Sequence, residues 1–253
     1  MVLQAAFELD YTDDVTVKEL ERLASVTGQW NELLTKCNTV VQTIPDPKVR
    51  SNLLVNMGIW YGSELARLDY AVASVNQALQ IDPENKRALA ALADFHRKNG
   101  QWAELVQAIN KHQELEEEPK KRTELLSAMA EVFESQLSDQ AQAINAYRKA
   151  LEYDDSNADV LDALQRLYHH NESWEGLIAI LVRKAELPEE PEERIRLHSA
   201  IGDLYEDQLQ RFPDAISSQK EVLTIEPMHL PALRSLERLY EKTGQFEDYL
   251  DIL

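Results

Sequence analysis

The chain has 253 residues and a formal net charge of −19, from 45 Asp and Glu against 26 Lys and Arg. This excess of carboxylates argues against nucleic acid as a partner, because phosphate backbones need clustered Lys and Arg. It also disfavours an anionic membrane surface. Hydrophobic residues make up 44%, charged residues 28%, and there are only 7 Gly, which is the composition of a folded helical chain.

No run of about 18 apolar residues occurs, so no membrane insertion is expected. Residues 1–10 lack the basic stretch and long apolar core of a signal peptide, and a single cysteine, Cys37, excludes an internal disulfide framework. A cytoplasmic address is the expectation.

A tryptophan returns every 72 residues, at Trp30, Trp102 and Trp174, and Phe246 takes the fourth slot. Pro47, Pro119 and Pro191 keep the same step, as do Leu20, Leu92, Leu164 and Leu236. Such self-similarity means one structural unit copied along the chain. In chain order the pattern predicts a partial helix at 1–12, helix-turn-helix modules at about 14–49, 50–85, 86–121, 122–157, 158–193 and 194–229, and a partial module at 230–253.

The module at 86–121 shows why. Asn85 is a candidate N-cap ahead of the apolar stripe Ala88, Leu89, Leu92 and Phe95. Asn99-Gly100 breaks the helix, with Gly100 suited to a left-handed position. Trp102, Leu105, Val106 and Ile109 stripe the second helix. In the alternate module, Leu125, Leu126, Met129, Val132 and Phe133 stripe the first helix, and Ala143, Ile144, Tyr147, Ala150 and Leu151 the second. Each Trp precedes an apolar pair one turn on (Leu33-Leu34, Leu105-Val106, Leu177-Ile178), so the indoles are expected to fill the wedges between stacked helix pairs. On that basis Trp102→Ala should cost about 3–5 kcal/mol.

The ends carry no polar cap. Ala6-Phe7 aligns with Ala78-Leu79, and Leu253 aligns with the core positions Ile109 and Leu181. A solenoid needs capped ends, so the expectation is a segment of a longer array, or ends covered by neighbours, with self-association through the uncapped faces.

No catalytic constellation is visible: no glycine-rich phosphate loop, no Gly-x-Ser-x-Gly elbow, no His-Glu-x-x-His. Cys37 occupies the slot of Ile109 and Leu181 and reads as a buried small apolar residue. His169 and His170 point about 100° apart on a helix and do not make a metal site. His96 stands in the slot of Tyr168 and Tyr240, and His198 in that of Leu54 and Leu126, so both read as core or interface histidines. The acidic runs at 116–118 and around 186–193 read as solvated module edges.

These residues resemble the tetratricopeptide repeat family. The likeness is carried by Gly58, Tyr61, Ala71, Ala78 and Pro83, by Ala130, Phe133, Ala143, Tyr147 and Ala150, and by Gly202, Tyr205, Ala215 and Pro227. The Trp modules keep Leu92, Gly100 and Trp102 but put Leu105 where the family has Ala, a divergent form. The alternate modules carry an extra turn residue around Leu65, Leu137 and Leu209. The resemblance implies an all-α, right-handed superhelical solenoid whose first helices line an inner groove.

By register, the exposed groove slots of the Trp modules include Lys18 and Arg22, Asp94 and Arg97, Asp162, Arg166 and His169, and Arg234 and Arg238. In the alternate modules the matching slots are acidic or neutral: Asn52, Val55, Ile59; Glu124, Ser127, Glu131; Ser199, Asp203, Glu206. Alternating basic and acidic bands suit an extended segment with charges at matching intervals. The competing reading pairs the arginines with acidic neighbours. The function expected is that of a protein–protein interaction scaffold or adaptor with a protein or peptide partner, not an enzyme, with no cofactor and no metal. The alternative is a regulatory or substrate-recruiting arm of a larger enzyme or signalling protein.

Overall fold

The computed structural model describes residues 14–187 and 190–245, so the partial helix at 1–12, Phe246 and Leu253 lie outside the described residues. Among the described residues there are thirteen α-helices and no strand. The chain divides into two compact units, residues 1–143 and 144–253.

The first unit holds α1 (Asp14–Thr27), α2 (Trp30–Val40), α3 (Pro47–Ser63), α4 (Leu68–Ile81), α5 (Lys86–Lys98), α6 (Trp102–Leu115) and α7 (Pro119–Ser135). Helix α8 (Gln140–Ala150) runs across the division. The second unit continues with α9 (Ala158–His170), α10 (Trp174–Glu186), α11 (Pro191–Asp203), a π turn (Leu204–Gln208), α12 (Phe212–Ile225) and α13 (Leu230–Thr243). From α1 to α7 in the first unit, and from α9 to α13 in the second, each helix packs against its successor, and α3 also touches α5, one first helix against the next. The fold is all-α, built of stacked helix-turn-helix repeats.

Local sequence sets the helix ends. The Asn85 side chain accepts from Ala88 N–H at 3.0 Å, and Asn157 accepts from Val160 N–H at 3.2 Å. His229 does the same for α13 through Nδ1, 3.3 Å from Ala232 N. After α5, Gly100 adopts φ +68°. Gln101 N–H then donates to His96 O at 2.9 Å and Gly100 N–H to Arg97 O at 3.2 Å, a Schellman closure. The same closure recurs one period on, where Ser173 N–H reaches Tyr168 O at 2.9 Å. There the left-handed residue is Glu172, at φ +52°.

The extra turn residue in the alternate modules has a structural role. Ala66, Ser138 and Gln210 all take φ +53°. Each lets the following N–H reach back six residues, Arg67 to Tyr61 O, Asp139 to Phe133 O and Arg211 to Tyr205 O, each at 2.8 Å.

The core follows the expected stripes. Leu89, Leu105, Leu126, Leu161 and Leu164 are at most 1% exposed. Cys37 is fully buried, and burial pushes its thiol up to about 12. His96 is buried and its Nδ1 lies 2.9 Å from Gln101 Oε1. At Gly58 a Cβ would come within 2.6 Å of Val75, so α3 and α4 touch more closely than any side chain at that position would allow.

Two expectations are corrected. Trp30 is buried, but Trp102 and Trp174 are only half-buried. Trp30 has an aromatic neighbour at 6.1 Å, Trp60; the matching slots of the later copies hold the smaller Val132 and Leu204. A half-exposed ring has less to lose on truncation, so the cost at Trp102 falls below the full core range. Val55 and Glu206, placed on the exposed groove by register, are buried. Helix α3 is covered on nearly every face because α2, α4 and α5 all pack on it.

A non-glycine residue held left-handed costs about 1–2 kcal/mol. Glu172→Gly should therefore raise stability by about 1 kcal/mol, measured as a shift in the urea midpoint at unchanged slope; no gain would show that Glu172 is unstrained there.

Candidate functional site

Lys18, Arg22, Asp94, Arg97, Asp162, Arg166, His169, Arg234 and Arg238, the groove candidates of the Trp modules, are all exposed. In the first unit, Lys18 and Arg22 stand on α1, and Arg22 bonds Glu19 on its own helix at 2.6 and 2.9 Å. Asp94 and Arg97 stand on α5 and pair with each other at 3.2 Å. In the second unit, Arg234 and Arg238 stand on α13.

Asp162, Arg166 and His169 come together in one cleft. Helix α9 turns Leu161, Leu164 and Leu167 inward, so Asp162, Gln165, Arg166 and His169, at i, i+3, i+4 and i+7, form an outward stripe. That stripe is one wall of a cleft of about 640 Å³. Leu177 and Leu181 of α10 form the floor, and Ala200 and Leu204 the apolar part of the far wall. Asp203 and Asp207 supply the far wall's charge.

The cleft is charged with both signs. Lys184 rises from α10 and donates to Asp162 at 2.8 Å and to Gln165 Oε1 at 2.9 Å. His169 meets Trp174 edge-on at 5.9 Å. The Asp203 carboxyl is pushed above its ordinary range, first by burial and then by the neighbouring charge of Asp207. An apolar floor with a few charged groups on the walls is the make-up of a ligand or peptide site. Lys184 and Asp207 were not singled out in the sequence. Lys184 had a visible signal, since its slot holds Val40 and His112 in the earlier copies.

Below the cleft wall, Glu206 of the π turn is 6% exposed. Arg238 grips it with two bonds, 3.0 and 2.7 Å, and Lys242 adds a third at 2.6 Å. Such a fork is the strong form of carboxylate pairing. Arg238 is thus tied to an acidic neighbour, and it anchors the segment that carries Leu204 and Asp207.

No curated protein matches the chain in sequence. Residues 88–123 match the tetratricopeptide repeat family. That match falls on the Trp102 module, the form read from sequence as divergent. Among solved structures, a tetratricopeptide repeat protein from Parabacteroides merdae is 16% identical, covers 94% of this chain and 96% of its own, and has a TM-score of 0.47. MamA is 19% identical, with 66% of this chain and 93% of its own covered and a TM-score of 0.39. YrrB, described as a TPR protein with an unusual peptide-binding site, is 14% identical, with 73% and 91% covered and a TM-score of 0.41. Among the described residues no helix is long and apolar enough to cross a membrane.

The hydrogen bonds from Arg238, aided by Lys242, hold the Glu206 carboxyl below its ordinary range. A depressed carboxylate stabilises the fold above the unfolded value, and that contribution is lost as pH falls through the folded one. The melting temperature of Glu206→Gln should lie below that of the unaltered chain at pH 7, and the two should converge below about pH 4; a gap that stays constant from neutral to acid pH would contradict the pairing. The helix pairs of the described residues and the match at 88–123 together make the chain similar to the tetratricopeptide repeat family.

Proposed function

We propose that the chain is a protein-interaction scaffold whose second unit binds an extended partner segment across the cleft walled by Asp162, Arg166 and His169. A tetratricopeptide repeat fold supports a protein-interaction role in general, and the proteins of this family are generally non-enzymatic scaffolds. The observation that carries the finer reading is the cleft itself, whose apolar floor of Leu177 and Leu181 lies between walls charged with both signs. An extended segment would set an apolar side chain on that floor and place its own charges against Arg166 on one side and Asp203 on the other.

The remaining candidates divide by what they already bond. Arg22 and Arg97 are held by carboxylates on their own helices, and exposed pairs of this kind are weak enough to exchange for a partner's carboxylate. Arg238 is committed to Glu206, so its part is to position the cleft wall. Lys18 and Arg234 extend the basic bands of their helices.

The test is panning of a displayed random-peptide library against the chain. Enrichment of a common motif, reduced about tenfold or more by Arg166→Glu and by Asp203→Lys, is the expected result. Equal enrichment on both charge-reversed variants, or none on the unaltered chain, would remove the cleft as the binding site.

A further inference from the structure

The cleft of the second unit has a counterpart two periods earlier in the chain, and there the space is already filled. Between α1, α2 and α3 stands Trp60, 2% exposed. Its ring lies 6.1 Å from that of Trp30 at a tilt of 44°. Its Nε1 donates to Glu21 Oε1 at 2.8 Å. One helix supplies the indole, a second the aromatic and apolar bed, a third the acceptor.

Two periods on, each of those slots has a successor. Trp30 becomes Trp174, Leu33 becomes Leu177, Glu21 becomes Gln165 and Asn56 becomes Ala200, while Trp60 itself becomes Leu204. Gln165, Leu177, Ala200 and Leu204 all line the open cleft of about 640 Å³. An acceptor and an apolar bed are thus retained, while the filling ring is replaced by a smaller side chain and one wall residue is trimmed to alanine.

The charge of the wall changes too. The positions of Ile59 and Ser63 in the first copy become Asp203 and Asp207, one turn apart on the far wall. Burial and the charge of Asp207 raise the Asp203 carboxyl more than the nearby Arg238 lowers it, and an added cation against the two carboxylates would offset that repulsion. On the opposite side, Lys184 is already bonded to Asp162 and Gln165.

We propose that this cleft receives a tryptophan side chain of a partner segment, with a lysine or arginine next to it held by Asp203 and Asp207. The proposal rests on the peptide-binding reading above and names what that site selects. The indole N–H donates to Gln165 Oε1, which has a second lone pair beside the one used by Lys184. The ring covers Leu177, Leu181 and Leu204, a large apolar area with a polar handle at its edge.

The experiment uses the whole chain and a pentapeptide, acetyl-Gly-Lys-Trp-Lys-Gly-amide, with 5-fluorotryptophan at its centre so that ¹⁹F resonance reports the peptide alone. The expected result is saturable broadening and shift of the fluorine line, with affinity reduced about tenfold or more when the two lysines are replaced by glutamates. Leu204→Trp supplies the ring from the chain itself and should reduce binding by the same factor, with a melting temperature equal to or above that of the unaltered chain. Gln165→Glu restores the charged acceptor of the first copy and should tighten binding about threefold; it keeps the test decisive if Leu204→Trp fails to fold.

Equal binding of the lysine and glutamate peptides, or binding untouched by Leu204→Trp in a folded chain, would overturn the proposal. Fluorine shifts that track sedimentation of a self-associated form would also overturn it, by assigning the cleft to a second copy of the chain. If library peptides without tryptophan bind and are displaced by Leu204→Trp while the tryptophan peptide does not bind, the peptide-binding reading stands and the tryptophan selectivity falls.

Discussion

A single helix pair in this chain cannot cover its own apolar face, and everything else follows from that. Leu89, Leu105 and Leu126 come from three consecutive helices, α5, α6 and α7, and all are buried, because α6 packs on both α5 and α7. Stability in such an array is a sum of intrinsic and nearest-neighbour terms. Turn geometry is therefore under strict control. The left-handed positions at Gly28, Gly100, Glu172 and Gly244 recur with the same period as the tryptophans, and they set where each second helix begins.

The shared seam fixes the positions that must be apolar and leaves the first-helix faces free to diverge. One slot shows how far. Trp60, Val132 and Leu204 occupy equivalent places, yet the first is a buried ring bonded to Glu21 and the third borders an open cleft. The neighbouring slot holds Ser135 in one copy and Asp207 in the next. Copying supplies a frame, and divergence within it makes one cleft unlike another. The Glu206–Arg238–Lys242 cluster belongs to the same logic, since a carboxylate in the π turn is kept charged by two cations from α13.

Much of this was legible in the sequence, for physical reasons. Asn85 and Gly100 act through local geometry, which needs no tertiary knowledge, and both do in the structure what their types imply. Cys37 and His96 were placed correctly because their counterparts in other copies are apolar or aromatic. Comparison between copies failed where a residue's cover comes from one variable partner. Trp30 is buried beside Trp60, whereas Trp102 and Trp174 have smaller residues in the matching slot, so identical tryptophans have unequal surroundings. Val55 reads as exposed by register but is buried because α3 is covered by three neighbours. Lys184 projects from a second helix, whereas the register that marks the groove runs along first helices.

The account turns on coupling between neighbouring helices through their common apolar seam. Native-state hydrogen exchange on Leu105→Ala, which removes a fully buried side chain from α6 at a cost of about 2–5 kcal/mol, tests it most directly. The account predicts faster exchange in α5 and α7 as well as in α6, with the effect fading toward α1. Faster exchange confined to α6, with α5 and α7 as protected as before, would contradict it.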